Sequence, residues 1–336
     1  MNDSLVEGLR SALAVHCTPA QVQALEAGEP VPLWQQLEPL GYADAFTHEA
    51  QGGSGLDLAA ACAIGEVLGR HACPLPLLET ALARALLAAA GWPWPAQAQA
   101  QAPLLVLCDA VAAPDGGLAL PQTPGLGLAS HALVQHAGHW HLLALAGLAL
   151  RAGDHRPRAS GALDAVALDR PLARFPAPQT AAVLTAPLQA AEMAGALGAV
   201  LEMTLSYARD RRQFGKPIGQ FQALQMEISA LAEQVAFARM AARMACVGLA
   251  TAPDALRALS AKLACCDAAE RSVAVAHAVH GAIGITEDYA LACHARRLHE
   301  WRATGATAGQ CARALGAALL QDGRATLDFV RERLAA

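Results

Sequence analysis

The chain has 336 residues, of which 54% are hydrophobic and 16% are charged, and its formal net charge is −5. This length allows two or three domains with a large buried core. The aromatic content of 4% and the lack of a long basic run argue against nucleic acid as a partner.

The mean hydropathy of +0.30 raises the question of a membrane span. The longest uncharged stretch, between Asp115 and Arg151, is interrupted by prolines, glycines and four histidines. A spanning helix needs roughly 20 mostly apolar residues, so we predict no membrane span. The opening MNDSLVEGLR lacks a basic signal-peptide region, and the cysteines form no CxxC pair. These features predict a cytoplasmic protein.

The first hundred residues have the pattern of helices. Leu33, Leu37 and Leu40 recur at helical spacing, and the segment 58–71 carries an apolar face. The QGGSG segment between them predicts a turn. The segment PWPAQAQAQAP, which ends at Pro103, predicts a linker.

From Leu104 the sequence consists of short apolar runs separated by Gly, Pro and Asp. We predict a compact β region over 104–175 with five to seven strands of typical length. In the run HWH, the alternation of a strand puts His139 and His141 on one face, and no carboxylate lies nearby in the sequence. These two residues and His136 are therefore interpreted as having no metal role.

After RFPAPQ the chain returns to long helices, which we predict at 188–209, 221–250, 253–280, 290–301 and 308–334. The second carries an apolar stripe formed by Phe221, Leu224, Ile228, Leu231 and Val235. This stripe and the low charge predict that the C-terminal helices oligomerise.

The predicted fold is mainly α with a small central β domain. Long antiparallel helices with short links predict a C-terminal four-helix bundle. The predicted domains are an N-terminal helical domain at 1–103, a reduced β domain at 104–178 and the bundle at 179–336.

Three arginines, Arg209, Arg211 and Arg212, lie where a predicted helix ends before Phe214. Guanidinium groups bind phosphate oxygens in a bidentate manner, so this cluster is a candidate anion site with an aromatic ring beside it. The alternative is a solvated charged face on which Asp210 pairs with a neighbouring arginine.

Two segments resemble the acyl-CoA dehydrogenase family. The first is SYARDRRQFGKPIGQFQ, and the second is VHGAIGITEDYAL with the following RRLHEWRATGATAGQ. The N-terminal GYADAFTHEAQGGSGLDLAAACAIGEVLGR is also similar to the family's opening helices. The resemblance covers the helical parts well and the β region poorly.

The resemblance implies FAD as cofactor and an acyl-CoA as substrate. Arg211 would contact the FAD diphosphate, with Gln213 and Phe214 beside it. The residues implied at the adenosine end, across a subunit boundary, are Ile218, Phe221, Gln222, His280, Gly281 and Ala282. Thr307 matches the family threonine that touches the diphosphate, whereas Gly309 replaces the usual glutamate or glutamine.

The glutamate that serves as the family's base is missing. Its common position, two residues before Thr307, is Gly305, and the position used by other relatives aligns with Thr185. Glu192 lies seven residues after Thr185 and is the remaining weak candidate. The β region also lacks a counterpart of the family's flavin-covering TEP segment.

This combination resembles the degenerate subunit of heteromeric acyl-CoA dehydrogenases of steroid or fatty acid degradation. The leading hypothesis is a subunit that needs a related catalytic chain, with electron-transferring flavoprotein as acceptor. Two alternatives are a self-sufficient homo-oligomer with an unrecognised base and a non-enzymatic scaffold that binds flavin or protein.

Overall fold

A computed structural model describes residues 2–92, 103–113, 116–154, 157–163 and 165–334. Most of the predicted PWPAQAQAQAP linker therefore lies outside the described residues. A largely helical fold encloses a small β region, as predicted.

The N-terminal region is helical: α1 (Asn2–His16), α2 (Pro19–Ala27), α3 (Leu33–Leu37), α4 (Leu58–Arg70) and α5 (Leu77–Ala89). Capping residues fix where α2 and α4 begin. Thr18 forms a capping box with Gln21 before α2, and the Asp57 side chain accepts a hydrogen bond from the Ala60 N–H at the start of α4. The predicted inclusion of Leu40 in the helix of Leu33 was wrong. The α-helix ends at Leu37, a 3₁₀ turn containing Pro39 follows, and Leu40 is exposed.

The β region contains eight strands in the described residues: β1 (Leu105–Asp109), β2 (Val111–Ala112), β3 (Leu118–Thr123), β4 (His131–His136), β5 (His139–Ala144), β6 (Leu150–Ala152), β7 (Ala159–Leu163) and β8 (Ala173–Pro176). A short helix, α6 (Ala165–Asp169), precedes β8. The prediction of five to seven strands was too low because β2 and β6 are edge strands of two and three residues.

The strands form two four-stranded sheets, in the orders β1-β4-β5-β8 and β2-β3-β7-β6. Only β1 and β4 pair in parallel; the other pairs are antiparallel. Apolar side chains from both sheets, including Val106, Leu120 and Val134, form a separate small core. The opposite side of β1 joins the large helical core through Leu105 and Leu107.

The longest helix, α7 (Ala181–Asp210), is the centre of the fold and packs against α4 and the C-terminal helices. We predicted its start at Leu188, and the structure begins it seven residues earlier. Thr180 caps the helix, and the Asp109 carboxylate on β1 accepts the N–H groups of Ala181 and Ala182 at 2.8 and 2.9 Å. This anchor starts the helix ahead of Pro187, which is tolerated inside it.

The remaining helices are α8 (Gln222–Ala245), α9 (Ala255–His280), α10 (Leu291–Ala303), α11 (Ala308–Asp322) and α12 (Thr326–Phe329). Helices α7, α8, α9 and α11 form the bundle, and α10 packs against α7 and α9. The predicted helix over 308–334 is broken at Gly323, whose φ of +74° ends α11 in the left-handed region.

We predicted that the apolar stripe on α8 would be available for oligomerisation, and this was wrong, because the stripe packs inside the chain. Leu231 and Val235 are buried in the chain's own core, and Ile228 packs against Val279. A different row of α8 is exposed, and it consists of Met226, Phe237, Met240 and Met244. The stripe of residues 221–235 is therefore intramolecular, and any docking of a partner on α8 would use the second row.

By length and composition alone, α7 could cross a membrane. However, 94% of its most apolar window is buried inside the described fold, as in the core helix of a globular domain. All nine cysteines lie in the described ranges, and each is a free, buried thiol.

Two candidate sites at opposite ends of α7

The first candidate site is a cleft of about 570 Å³, here called the inner cleft. The first turns of α7, the residues before and within the start of α11, and β1 and β3 line it, together with Glu79 from α5. Its lining contains Gly305, Thr185 and Thr307. The fold therefore brings both predicted base positions into one cavity.

Gly305 and Thr185 are close neighbours in this cleft. A Cβ atom at Gly305 would lie 3.3 Å from both Thr185 Oγ1 and Gln189 Oε1. The φ of Gly305 is +63°, a conformation that favours glycine, so a side chain at this position would be strained. The Thr185 hydroxyl donates to the Ala181 carbonyl at 2.9 Å. Neither residue offers a group that could take a proton.

A buried lysine supports this part of the cleft. Lys262 Nζ donates to Gln189 Oε1, to the Trp301 carbonyl at 2.5 Å and to the Thr304 carbonyl at 3.4 Å. Burial lowers the pKa of Lys262. All three ammonium hydrogens have an acceptor, so the lysine fixes Gln189 and the segment before Gly305.

Glu192, the weak candidate base, does not line the inner cleft. It is 3% exposed and lines a small adjoining cavity of about 10 Å³. Burial raises the pKa of Glu192 well above its usual value, and the neighbouring Glu79 raises it further. Glu79 lines both the inner cleft and this small cavity. Sequence reasoning did not single out Glu79, because only the packing of α5 against the cleft gives it this role.

Two further features determine which ligands the inner cleft can accept. Thr307 forms a capping box with Gln310, so its hydroxyl and N–H are engaged at the start of α11. Carboxyl groups of Asp109 and Glu79 line the cleft, and no lysine or arginine lines it in the described part of the chain. The cleft suits a neutral ligand better than an anion.

The second candidate site, here called the arginine cleft, lies at the other end of α7 and has a volume of about 480 Å³. It gathers six of the ten residues that we predicted to bind cofactor: Arg211, Gln213, Ile218, His280, Gly281 and Ala282. Asp210 accepts from the Ser206 hydroxyl at 3.3 Å and forms no ion pair within the described residues. Its predicted alternative role, pairing with a neighbouring arginine, is not seen.

A tight hairpin carries the aromatic part of this site. Strands β9 (Arg212–Gln213) and β10 (Lys216–Pro217) pair antiparallel, and the turn residues Phe214 and Gly215 have φ values of +49° and +80°. Phe214 is 91% exposed and contacts Phe221 edge to face, while Lys216 Nζ lies 4.4 Å from the Phe221 ring centroid. A strained, exposed phenylalanine of this kind indicates a binding surface. Gln222 is exposed beside it.

The floor of the arginine cleft is a stack of rings. His280 is 3% exposed, its Nδ1 lies 2.8 Å from the Ala276 carbonyl, and its ring stacks on Tyr207 at 4.6 Å. Burial lowers the pKa of His280. Gly281 follows with a φ of +64°, and Ala282 is exposed at the cleft. His280 thus supports the cleft from below.

The two clefts are far apart. Thr185 and Arg211 are separated by 26 positions of a continuous helix, or about 39 Å at 1.5 Å per residue. Arg211 and Thr307, both predicted to contact one cofactor, are therefore in separate sites of this chain.

The histidines of the β region lie on neighbouring strands. The rings of His136 and His141 are 6.4 Å apart, and His141 is buried. Within the described ranges, no group of three or more His, Cys, Asp or Glu residues is arranged to hold a metal ion.

Residues 2–101 match the family profile described as "Acyl-CoA dehydrogenase, N-terminal domain", and residues 175–315 match "Acyl-CoA dehydrogenase, C-terminal domain". The chain is 33% identical over 307 residues to "Acyl-CoA dehydrogenase IpdE2" of Mycobacterium tuberculosis, covering 88% of this chain and 90% of that protein. The Mycolicibacterium smegmatis protein of the same name is 30% identical and is 91% covered.

Solved structures share the fold. "Tcur3481-Tcur3483 steroid ACAD G363A variant" superposes with a TM-score of 0.76 at 23% identity, covering 96% of this chain and 98% of that chain. The ChsE4–ChsE5 complex from Mycobacterium tuberculosis gives 0.75 at 21% identity, with the same coverage.

Proposed function

Because this chain belongs to the acyl-CoA dehydrogenase family, we propose that it is a subunit of an FAD-dependent acyl-CoA dehydrogenase whose catalytic base comes from a related partner chain. The family reaction takes a proton from the α carbon of an acyl-CoA, and the flavin accepts the hydride of the β carbon. One observation carries the proposal. The two positions that could hold the base meet in the inner cleft as Gly305 and Thr185, and neither can accept a proton.

The residues of the arginine cleft fit the adenosine diphosphate part of FAD. The exposed guanidinium of Arg211 has no competing ion pair in the described residues, and phosphate oxygens accept its hydrogen bonds in pairs. The exposed Phe214 ring beside it would be covered by a nucleotide or a partner. We propose that the predicted cofactor residues of this cleft, from Arg211 to Ala282, hold that end of FAD.

The inner cleft does not fit the diphosphate. Asp109 and Glu79 line it, no lysine or arginine does so in the described residues, and the Thr307 hydroxyl is already hydrogen-bonded to Gln310. A single dinucleotide cannot span the roughly 39 Å along α7 that separates Thr185 from Arg211. We therefore propose that the FAD held by the arginine cleft places its flavin ring in a neighbouring subunit.

The proposed partner is a related dehydrogenase subunit. The exposed apolar row of α8, Met226, Phe237, Met240 and Met244, offers a surface that a partner could cover. Two of the structural relatives are themselves complexes of two named chains, which supports a heteromer. Steroid or fatty acid degradation and electron-transferring flavoprotein as acceptor remain part of this proposal.

One observation favours a second candidate, a self-sufficient dehydrogenase. The inner cleft is open, and a carboxyl group, that of Glu79, lines it. In that case Glu79 would be the first residue to test as an unrecognised base. The third hypothesis, a scaffold without activity, would leave the inner cleft without a role.

The test is to purify the chain alone and in complex with a co-expressed related subunit. We expect a colourless chain that does not dehydrogenate acyl-CoA, and a yellow, active complex. Flavin absorbance and turnover of octanoyl-CoA with an artificial electron acceptor measure both properties. Robust turnover by the chain alone would reject the partner requirement.

Replacing Arg211 by alanine should weaken flavin retention by the complex roughly tenfold to a hundredfold. The loss of a charge-assisted hydrogen bond of about 1.5 to 3 kcal/mol corresponds to this range. Flavin occupancy after dialysis measures the effect. Arg209→Ala is the matched control, because Arg209 Nε donates to its own helix at Leu205 and the residue does not line the cleft. Equal occupancy in both variants would show that Arg211 does not bind flavin.

A further inference from the structure

Two cysteines from different helices line one cavity at the junction of α1, α4 and α8. Cys62 lies in the second turn of α4, and Cys246 is the residue directly after α8. Both line a cavity of about 360 Å³ that shares no residue with either candidate site. The exposed side chains of Arg10 and Arg243 also line it, so the cavity is reached from the surface. The two thiols therefore border a common space that a small solute can enter.

Contacts on both sides of this thiol pair hold the two segments in place. One turn before Cys62, the Leu58 N–H donates to the Gly248 carbonyl at 2.8 Å. One turn after it, the Arg243 side chain donates to the Glu66 carboxylate at 3.2 Å. The segments run antiparallel between these two contacts, so the fold itself brings the thiols together.

The two thiols also interact directly. A hydrogen bond with the Cys62 thiol and, to a smaller extent, burial raise the pKa of the Cys246 thiol. The Cys246 Sγ atom lies 3.7 Å from the Pro187 carbonyl oxygen, which fixes its position beside α7. Buried cysteines often pack as small apolar side chains, but that role needs neither contact between two thiols nor a shared cavity. Contact and access together indicate a site of thiol chemistry.

A second pair of thiols, Cys17 and Cys73, offers a comparison within the same chain. A hydrogen bond joins these side chains as well, and it raises the pKa of Cys17 while it lowers that of Cys73. Cys73 lines the cavity of about 10 Å³ beside Glu192, which has room for at most one water and none for a peroxide. Because the thiolate is the reacting form, thiol pKa would select this second pair, whereas access would select Cys62 and Cys246.

We propose that Cys62 and Cys246 form an oxidative modification site, at which hydrogen peroxide converts the two thiols into a disulfide between α4 and the end of α8. One thiol sulfur attacks the O–O bond, which gives a sulfenic acid and releases one water. The second thiol then displaces the sulfenic hydroxyl as another water, and the S–S bond forms. The two thiols together lose two electrons and two protons, and the peroxide is reduced to two waters. The inference does not depend on the proposed function.

Peptide mapping of the full-length chain by mass spectrometry tests the inference. The reduced chain is treated with hydrogen peroxide, its remaining thiols are blocked with N-ethylmaleimide in denaturant, and it is cleaved after Lys, Arg and Glu. This cleavage puts each of the four cysteines of the two pairs in a separate peptide. We expect the Cys62 and Cys246 peptides to be linked after peroxide treatment and separated by dithiothreitol. The Cys17 and Cys73 peptides should remain unlinked.

Cys62→Ser and Cys17→Ser are matched variants, because each replaces one thiol of one pair by a hydroxyl of similar size. Cys62→Ser should abolish every link to Cys246, and Cys17→Ser should leave the link between Cys62 and Cys246 unchanged. A link of Cys246 to another cysteine in Cys62→Ser would show unspecific oxidation and overturn the inference. If Cys62→Ser does not fold, the peptide map of the unmodified chain still decides.

Two results with the unmodified chain would also overturn the inference. A link between Cys17 and Cys73 formed in place of the proposed one would show that thiol pKa, not access, selects the reacting pair. Thiols of Cys62 and Cys246 that stay reduced at a peroxide concentration that oxidises the unfolded chain would show that the cavity excludes the oxidant. A link found only after unfolding has the same meaning.

Discussion

Replacing Arg297 by methionine is expected to lower the free energy of unfolding by about 3 to 5 kcal/mol, the range for breaking a buried ion pair from one side. Arg297 lies on α10 with 1% of its side chain exposed, and it bridges Glu26 of α2, at 2.8 Å, and Glu300. Their side chains are 2% and 4% exposed. The variant would leave Glu300 buried without its cation.

Denaturant unfolding followed by circular dichroism measures this effect. The transition midpoints of the variant and the unmodified chain can be compared if the slopes of their unfolding free energy against denaturant concentration are equal. Arg10→Met is the matched control. Arg10 forms an ion pair with Glu7 at 3.2 Å, but the two side chains are 48% and 64% exposed, so a change of at most about 1 kcal/mol is expected. Equal losses of unfolding free energy in both variants would contradict the expectation that burial makes the Arg297 ion pairs matter more than the exposed Arg10 pair.

The second large effect is expected for Gly195→Ala, which should lower the free energy of unfolding by about 3 kcal/mol. Helices α4 and α7 cross with their backbones in contact. A Cβ at Gly195 would lie 2.0 Å from the Glu66 carbonyl oxygen, and one at Gly69 would lie 1.8 Å from the Glu192 carbonyl oxygen. Backbone atoms cannot rotate away, so the helices would have to separate.

The control for this change is Gly316→Ala, the same substitution inside α11, where nothing lies within 4 Å of the new Cβ. It should raise stability by about 0.5 to 1 kcal/mol, because alanine favours helix over glycine. Thermal unfolding of both variants would show opposite signs. A stable Gly195→Ala protein would show that the crossing can widen, and would also move Glu192 relative to the small cavity.

Local sequence signals were sufficient for several features. Thr307 with Gln310, and Asp254 before α9, satisfy N–H groups within one turn of their own helices, so these helix starts lie close to the predicted ones. The turn at Phe214 and Gly215 is local in the same way. The family resemblance, the fold class and the missing glutamate at Gly305 also required only residue identities at aligned positions.

Other features depend on contacts between distant parts of the chain. Asp109 starts α7 from a separate strand, so the pattern around Pro187 suggested a later start. The α8 helix has two apolar rows, and only its packing against α7 and α9 decided that Leu231 is inside and Met240 outside.

The two candidate sites differ in the same way, one depending on local segments and the other on contacts between distant parts of the chain. Sequence by itself predicted six of the residues that line the arginine cleft, because these six lie in two short segments at adjoining helix ends. Only the tertiary structure placed Glu79 in the inner cleft, beside Glu192, because α5 and α7 are about a hundred residues apart in the chain and meet through packing. A glutamate on an alanine- and leucine-rich helix carries no local sign of burial, since its environment is made by the helices that pack around it.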